Sequence, residues 1–226
     1  MDRLGVAEAD FVLADLGVSS HQLDTPQRGF SFRANAALDM RMDPTQAPTA
    51  ADLLAAISED ELARLLARYG EEPHARAIAR AIVRDRPKTT FDLVRAVESA
   101  VPPRARPQGK HVATRTFQAL RIAVNRELEQ LDDFLATVPE RLAPGGRLCV
   151  ITYHSLEDRR VKRRFRELSR PPDLPRHLPV PDAERPRPRF AVPAAARRGC
   201  TPSAEEIAAN PRARSARLRI LERVEP

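Results

Sequence analysis

Two short segments of this 226-residue chain place carboxylate, hydroxyl, amide and imidazole groups directly after an apolar run. The first is residues 15–24, Asp-Leu-Gly-Val-Ser-Ser-His-Gln-Leu-Asp, and the second begins at His154. A carboxylate such as Asp15 can accept hydrogen bonds from an amine, and Gly17 would let a ligand approach the backbone closely. The imidazole of His154 is suited to acid–base work or to a polar ligand contact.

Both segments also have structural interpretations. Asp15 could cap the turn that follows it, with the neighbouring serines satisfying loop amides. His154 could be a hydrogen-bonded structural residue. The residue types alone leave these alternatives open, although strand-end loops are where binding sites concentrate.

Three segments have the patterns of β-strands. Residues 11–16 and 147–153 are short apolar runs, typical of buried strands in a parallel sheet. Residues 216–224 alternate apolar and basic side chains, which predicts a terminal strand with one exposed face. Ligands of open α/β sheets gather beyond the carboxyl ends of strands, and Asp15 and His154 both lie at such ends. The sequence therefore predicts a site at this edge.

Helical patterns separate these strands, so the order of elements predicts an α/β fold with a helical insertion. The evidence is apolar spacing of three and four residues together with capping patterns. The predicted helices are one opened by the capping box Ser58-x-x-Glu61, one from near Pro73, one over about 90–100, a single six-turn helix from Thr114 through Leu135, and one over about 156–169 with Ser155 at its N-cap.

Positive charge is concentrated in the last third of the chain. Residues 159–226 carry 18 basic and 8 acidic side chains, whereas residues 1–158 carry 20 basic and 23 acidic ones. Such clustering favours a nucleic-acid partner, although a solvated helix face is the alternative. The candidate RNA-binding residues are Arg115 and Arg121 near the start of the long helix, and Arg159, Arg160, Lys162, Arg163, Arg164 and Arg166 in the next one.

Several function classes find no support in the sequence. The chain has neither a G-x-G-x-x-G loop nor a P-loop, and it lacks the G-x-S-x-G elbow of many hydrolases. Two cysteines build neither a disulfide framework nor a four-ligand zinc site, so we expect a reducing cytoplasmic setting and no metal. No apolar stretch has the length of a membrane span.

Nine motifs occur in the order found in a known family. They are Asp-Leu-Gly-Val-Ser-Ser-His-Gln-Leu-Asp (15–24), Arg-Gly-Phe-Ser-Phe (28–32), Leu-Asp-Met-Arg-Met-Asp (38–43), Tyr-Gly-Glu-Glu (69–72), Ala-Thr-Arg-Thr-Phe-Gln-Ala-Leu-Arg-Ile (113–122), Asn-Arg-Glu-Leu (125–128), Leu-Ala-Pro-Gly-Gly-Arg-Leu (142–148), His-Ser-Leu-Glu-Asp-Arg (154–159) and Asn-Pro-Arg-Ala-Arg-Ser (210–215). With these motifs the chain resembles the ribosomal RNA small subunit methyltransferase H family (RsmH/MraW) over essentially its whole length.

The resemblance implies transfer of a methyl group from S-adenosylmethionine to the N4 amine of a cytosine. The implied substrate is the decoding region of small-subunit (16S) ribosomal RNA, free or in the 30S subunit. Asp15 and Gln22 match cofactor-binding positions, and Asp15 and His154 are the candidate catalytic residues. The implied organisation is a methyltransferase core in residues 1–44 and 111–226, with a Pro-rich basic segment at 171–202, and an inserted helical substrate-recognition subdomain at 45–110.

The chain departs from the family pattern at its start. Family members begin with a glycine-rich cofactor loop of the Asp-Gly-Thr-x-Gly-x-Gly-Gly-His type and the first strands of a Rossmann-like sheet, and neither is present here. We therefore expect an N-terminally truncated member whose partial sheet has an unpaired apolar edge at residues 11–16, and which binds cofactor weakly and aggregates. The alternatives are a catalytically inactive RNA- or ribosome-binding protein and a helical interaction module.

Overall fold

The computed structural model describes residues 5–46, 48–171 and 187–224. The chain forms two compact units: a sheet unit, which contains the residues up to Gly17 and from Leu128 onward, and a helical unit, Val18–Glu127. The helical unit extends beyond both ends of the predicted subdomain at 45–110. The roles assigned to the predicted domains stay predictions. No helix in the described ranges is long and apolar enough to cross a membrane.

The sheet unit is built on a mixed sheet whose described strands follow the order β1-β2-β4-β3. The first two neighbours are parallel and the others antiparallel. These strands are β1 (Ala9–Asp15), β2 (Leu142–Thr152), β3 (Phe190–Ala191) and β4 (Arg217–Arg223). The three predicted strands are confirmed. The predicted α/β fold class is likewise confirmed, because helices precede and follow the strands along the chain.

Strand β1 has two different faces. Val12 and Ala14 pack against the core of the sheet unit, whereas Phe11 and Leu13 on the opposite face are 60% and 55% exposed. Among the described strands, β1 pairs with β2 alone. The predicted unpaired apolar edge is therefore confirmed, whereas the prediction that residues 11–16 form a buried strand is wrong. Weak cofactor binding and aggregation stay predictions.

Three helices belong to the sheet unit or reach into it. They are α7 (Glu127–Thr137), α8 (Ser155–Leu168) and α9 (Ala204–Ala209). Apolar residues of α7 and α8, among them Leu135 and Phe165, form one core with Leu148 and Val150 of β2. Residues 172–186 of the predicted Pro-rich segment at 171–202 lie outside the described ranges.

The helical unit contains six described α-helices around one apolar core. They are α1 (Ser20–Asp24), α2 (Ala50–Ala56), α3 (Glu59–Gly70), α4 (Ala75–Asp85), α5 (Thr90–Ala100) and α6 (Thr114–Asn125). The predicted helices that correspond to α3, α4 and α5 are confirmed. Helix α2 was not predicted, although Thr49-x-x-Asp52 forms a capping box at its start.

The predicted six-turn helix from Thr114 to Leu135 is wrong. Arg126 has a left-handed conformation, with φ of 51°, which ends α6 before α7 begins. Just before it, the side-chain amide of Asn125 donates to the backbone oxygen of Met40 and accepts from the backbone N–H of Met42. The apolar spacing continues past one such residue, so periodicity alone does not reveal the break.

Candidate functional site

Polar side chains from two neighbouring strand ends meet at one edge of the sheet. Asp15 ends β1, and Tyr153 directly follows β2. The two strands are parallel and Asp15 is in register with Ile151, so both strands end at the same edge of the sheet. The Tyr153 hydroxyl donates a hydrogen bond of 2.9 Å to Oδ1 of Asp15. The structure thus places Asp15 at the strand edge where the sequence predicts a site.

The electrostatics of this pair favour a fixed donor and an available acceptor. Burial, followed by the hydrogen bond to Asp15, raises the pKa of Tyr153 to about 12, so its hydroxyl keeps its proton at neutral pH. Asp15 is exposed, and its Oδ2 accepts no hydrogen bond from another described residue. Tyr153 therefore orients a carboxylate that has one oxygen free to bind an amine or a cation.

Tyr153 is the site residue that sequence reasoning missed. A signal was present, because Tyr153 is the residue between the predicted second strand and His154. Gly17, two residues beyond Asp15, has φ of 86°, a conformation that glycine adopts without strain. The chain therefore turns away from the sheet at a glycine, so no side chain fills the space next to the backbone there.

His154 lies at the same edge but is held by the start of helix α8. It is the N-cap of that helix: its Nδ1 accepts a bond of 3.4 Å from the backbone N–H of Glu157. In return, Oε2 of Glu157 accepts from the backbone N–H groups of Tyr153 and His154. The predicted N-cap at Ser155 is wrong by one residue.

The imidazole of His154 is largely enclosed. Its side chain is 11% exposed, and Nε2 lies 3.2 Å from Oε1 of Glu157 in a geometry that makes no hydrogen bond. This arrangement matches the structural interpretation that the sequence left open. A catalytic part for His154 stays a prediction.

Gln22 belongs to the helical unit and caps α1. Its Oε1 accepts from the backbone N–H of Ser19, and the Ser19 hydroxyl accepts from the backbone N–H of Gln22. The Nε2 donor of Gln22 has no hydrogen-bond partner in the described part of the chain. The side chain is thus positioned by the cap and retains a donor for a ligand.

The motif at residues 28–32 makes contacts that hold the neighbouring motif at residues 38–43 in place. The Arg28 guanidinium donates to the backbone oxygens of Arg41 and Met42, at 2.7 and 2.9 Å. Gly29 has φ of 70°, and a Cβ there would lie 2.5 Å from the backbone oxygen of Ala37. Together with the Asn125 amide, these contacts hold the segment between α1 and α2, in which a 3₁₀ turn at Pro26–Arg28 precedes Gly29.

The candidate RNA-binding cations divide into paired and unpaired groups. Arg115 is exposed and forms no ion pair with another described residue, whereas Arg121 makes two hydrogen bonds of 2.9 Å to Glu127. On α8, Arg160 pairs with Asp132 at 3.3 Å. Arg163 and Arg164 lie 3.6 and 3.8 Å from carboxylate oxygens of Glu167.

Lys162 and Arg166 differ from these neighbours because neither forms an ion pair within the described ranges. Arg159 is exposed and has an interaction partner. The eight predicted cations are therefore not equivalent. Most of those on α8 are already engaged by the protein itself.

Comparison with known proteins gives consistent matches along the whole chain. A family model described as the MraW methylase family matches residues 1–224. A protein of Halorhodospira halophila named ribosomal RNA small subunit methyltransferase H is 55% identical over 234 residues, covering 96% of this chain and 67% of the relative. Proteins of the same name from Azoarcus sp. and Aromatoleum aromaticum are 52% and 51% identical, each covering 99% of this chain and 71% of the relative.

Proposed function

Since the chain belongs to the MraW methylase family, we propose that it methylates small-subunit ribosomal RNA with S-adenosylmethionine as the methyl donor. The proposed acceptor is the N4 amine of a cytosine in the decoding region. The relatives are named as small-subunit ribosomal RNA methyltransferases, which supports the RNA substrate. The observation that carries the proposal is the Asp15–Tyr153 pair at the carboxyl end of two parallel strands.

The carboxylate of Asp15 is suited to an exocyclic amine. A cytosine amine has two N–H donors, and one of them can bind the free Oδ2 while Tyr153 holds Oδ1. When the nitrogen gains a methyl group it must lose a proton, and a carboxylate at hydrogen-bond distance can take it. Tyr153 acts through Asp15, as a positioning residue, because its hydroxyl is already spent on that carboxylate.

The residues around Asp15 also fit one side of the implied cofactor. Bound S-adenosylmethionine supplies an electrophilic methyl group on a positively charged sulfur. Asp15 offers an exposed negative charge to that cation, and the left-handed turn at Gly17 carries no side chain to obstruct it. We propose that Nε2 of Gln22 donates a further hydrogen bond to the cofactor. The glycine-rich loop expected from the family is not among the 226 residues.

For the RNA, we propose contacts by the cations that the protein leaves unpaired. In the described ranges these include Arg115 at the start of α6, and Lys162 and Arg166 on α8. A cation that already has a carboxylate partner gains less from a phosphate, because it must give up that partner. Arg121, with its two bonds to Glu127, is therefore assigned to the fold of the helical unit.

The test is methyl transfer from labelled S-adenosylmethionine to small-subunit RNA and to 30S subunits, with the methylated nucleoside identified by mass spectrometry. We expect Asp15→Asn to lower turnover by ~100-fold or more, the usual contribution of a general base. Tyr153→Phe should lower turnover less, by ~10-fold, because the carboxylate loses its oriented donor. Tyr69→Phe, which removes the chain's other tyrosine hydroxyl, is the matched control.

Undiminished turnover and cofactor affinity in Asp15→Asn would contradict both roles assigned to Asp15. If the folded chain bound small-subunit RNA but transferred no methyl group to it, the alternative of a non-catalytic RNA-binding protein would replace the proposal. Calorimetric titration with S-adenosylmethionine separates a loss of cofactor binding from a loss of chemistry.

A further inference from the structure

A cavity of about 410 Å³ lies within the sheet unit, on the side of α8 that faces strands β3 and β4. The sheet order places β2 between β4 and the strand that carries Asp15, so this cavity is separate from the Asp15–Tyr153 pair. Its polar lining is almost entirely cationic, and the remainder of its wall is apolar. The cationic residues are Lys162, Arg166, Arg170, Arg197 and Arg219.

Three of these cations, here called the cationic row, come from α8 and the residues that follow it. Lys162 and Arg166 are four residues apart and therefore lie on the same side of the helix, and Arg170 lies two residues beyond its last residue, Leu168. Like charges at this spacing repel one another. None of the three forms an ion pair with a described residue, whereas Arg163 and Arg164 share Glu167 as a partner. The cationic row therefore lines the cavity without a carboxylate partner among the described residues.

Arg197 brings a fourth unpaired cation from outside the helix. It follows a short 3₁₀ turn at Ala194–Ala196, and it too forms no ion pair in the described part of the chain. Arg219 lines the cavity from β4, but Asp158 holds it through two bonds of 2.6 and 2.9 Å. Four cations from two separate segments therefore line one cavity, and none of the four forms an ion pair with a described residue.

An unused hydroxyl and an apolar wall complete the cavity. Ser169, which also lines it, has an enclosed Oγ with no hydrogen-bond partner among the described residues. Phe165, Val192 and Ile220 supply apolar surface. A volume of this size exceeds the need of a bare anion and suits an anionic group joined to a less polar one.

We propose that this cavity binds a phosphate group of a ribonucleotide, with Lys162, Arg166, Arg170 and Arg197 as its cationic partners and the apolar wall against the attached nucleoside. Arginine favours phosphate because its planar fork can make two parallel hydrogen bonds to the phosphate oxygens. Phosphate can come from an RNA strand or from a free nucleotide. The strong positive excess of residues 159–226 favours the RNA strand. This inference does not depend on methyl transfer.

The test compares two double variants of the full chain that each remove two positive charges from α8 at the same spacing. Lys162→Ala/Arg166→Ala changes the row that faces the cavity. Arg159→Ala/Arg163→Ala changes exposed cations that do not line it. Binding of a labelled single-stranded RNA is followed by fluorescence anisotropy over a range of salt concentrations, and circular dichroism confirms that both variants are folded.

We expect the cavity variant to bind RNA ~10-fold more weakly. The plot of the logarithm of the association constant against the logarithm of the salt concentration has a negative slope, and its magnitude should fall by ~1.4, since each lost phosphate contact on a single strand removes ~0.7. The control variant should change affinity less than ~3-fold and keep the slope. Arg197→Ala, which lies outside α8, should weaken binding in the same direction. Equal losses in the two double variants would overturn the proposal, because they would reflect net charge alone.

Competition identifies the source of the phosphate. Inorganic phosphate and adenosine monophosphate should displace RNA from the unaltered chain and lose that effect in the cavity variant. If adenosine monophosphate bound through these residues while RNA affinity stayed unchanged, the site would be one for free nucleotides. If an acidic peptide bound there and phosphate did not, the proposal would be wrong. Retained phosphate binding without methyl transfer would contradict the proposed function and leave this inference standing.

Discussion

The two units of the molecule treat their apolar side chains differently. In the helical unit, the large residues Leu62, Leu66, Ile78, Ile82 and Leu120 are fully buried. In the sheet unit, Leu148 and Val150 of β2 are also fully buried, but Phe11 and Leu13 on the outer face of β1 are more than half exposed. The sheet unit therefore retains a strand whose exposed apolar face can accept further packing.

The cause lies in how each kind of element is completed. A helix satisfies its backbone within itself, and Thr49, Ser58 and Thr89 each close a capping box in the helical unit. A strand satisfies its backbone only through neighbours, and β1 has β2 on one side alone in the described chain. The same strand ends at Asp15, so the open edge and the proposed methyl-transfer site share one element.

The largest expected difference between the two units is the loss of stability when a leucine is truncated to alanine. Leu66→Ala leaves a cavity in a fully enclosed core, and we expect a loss of ~3 kcal/mol in the free energy of unfolding. Leu13→Ala removes the same atoms from an exposed face and should cost less than ~0.5 kcal/mol. Urea denaturation followed by circular dichroism measures both. Equal losses would show that the exposed face of β1 is covered in solution.

Periodicity predicted most of the secondary structure because apolar spacing records which face of an element is buried. It failed where a single residue changed the backbone direction. Arg126 breaks the predicted long helix, and the apolar side chains on either side keep their spacing across it. Helix α2 is short and has only two buried residues, so its stripe is weak and its capping box was the sole clear signal.

The candidate site was predicted less completely than the fold. Asp15 and His154 were located because ligands of open α/β sheets bind beyond the carboxyl ends of strands. The hydrogen bond between Tyr153 and Asp15 joins residues 138 positions apart, and no local pattern encodes it. The count of charged residues located the basic segment but did not show which of its cations form ion pairs with carboxylates of the same protein. Only the structure shows that Arg163 has a carboxylate partner on α8 and that Arg166 faces a cavity.

A smaller effect should come from two glycines of the helical unit that share a left-handed backbone. Gly29→Ala would put a Cβ 2.5 Å from the backbone oxygen of Ala37, in addition to the strain of a positive φ. Gly109 has φ of 72°, but no atom of a described residue lies within 4 Å of the position its Cβ would take. We expect losses of ~2 kcal/mol for Gly29→Ala and ~1 kcal/mol for Gly109→Ala. Thermal unfolding measures the difference, and equal losses would show that the Gly29 loop relaxes freely.

The smallest expected effect concerns acid stability and again contrasts the units. Hydrogen bonds from the side chain and the backbone N–H of Ser58 hold the pKa of Glu61 below its usual 4.5 in the folded helix. A carboxyl with a lowered pKa stabilises the folded state above its unfolded pKa, and this contribution is lost as the pH falls through the folded pKa. Ser58→Ala should therefore lower stability at neutral pH and flatten the loss of stability below about pH 4.5.

The sheet unit offers the matched control at the start of α9. The Ser203 hydroxyl accepts from the backbone N–H of Glu206, yet no capping box is completed there. Ser203→Ala removes a cap of the same kind without removing a hydrogen bond to a carboxylate, so the acid profile should keep its shape. Denaturation at pH values from 3 to 7 compares the two variants. An unchanged dependence of stability on acid pH in Ser58→Ala would mean that this capping box does not make the helical unit sensitive to acid. The difference between the two units would then lie in the packing of their apolar side chains alone.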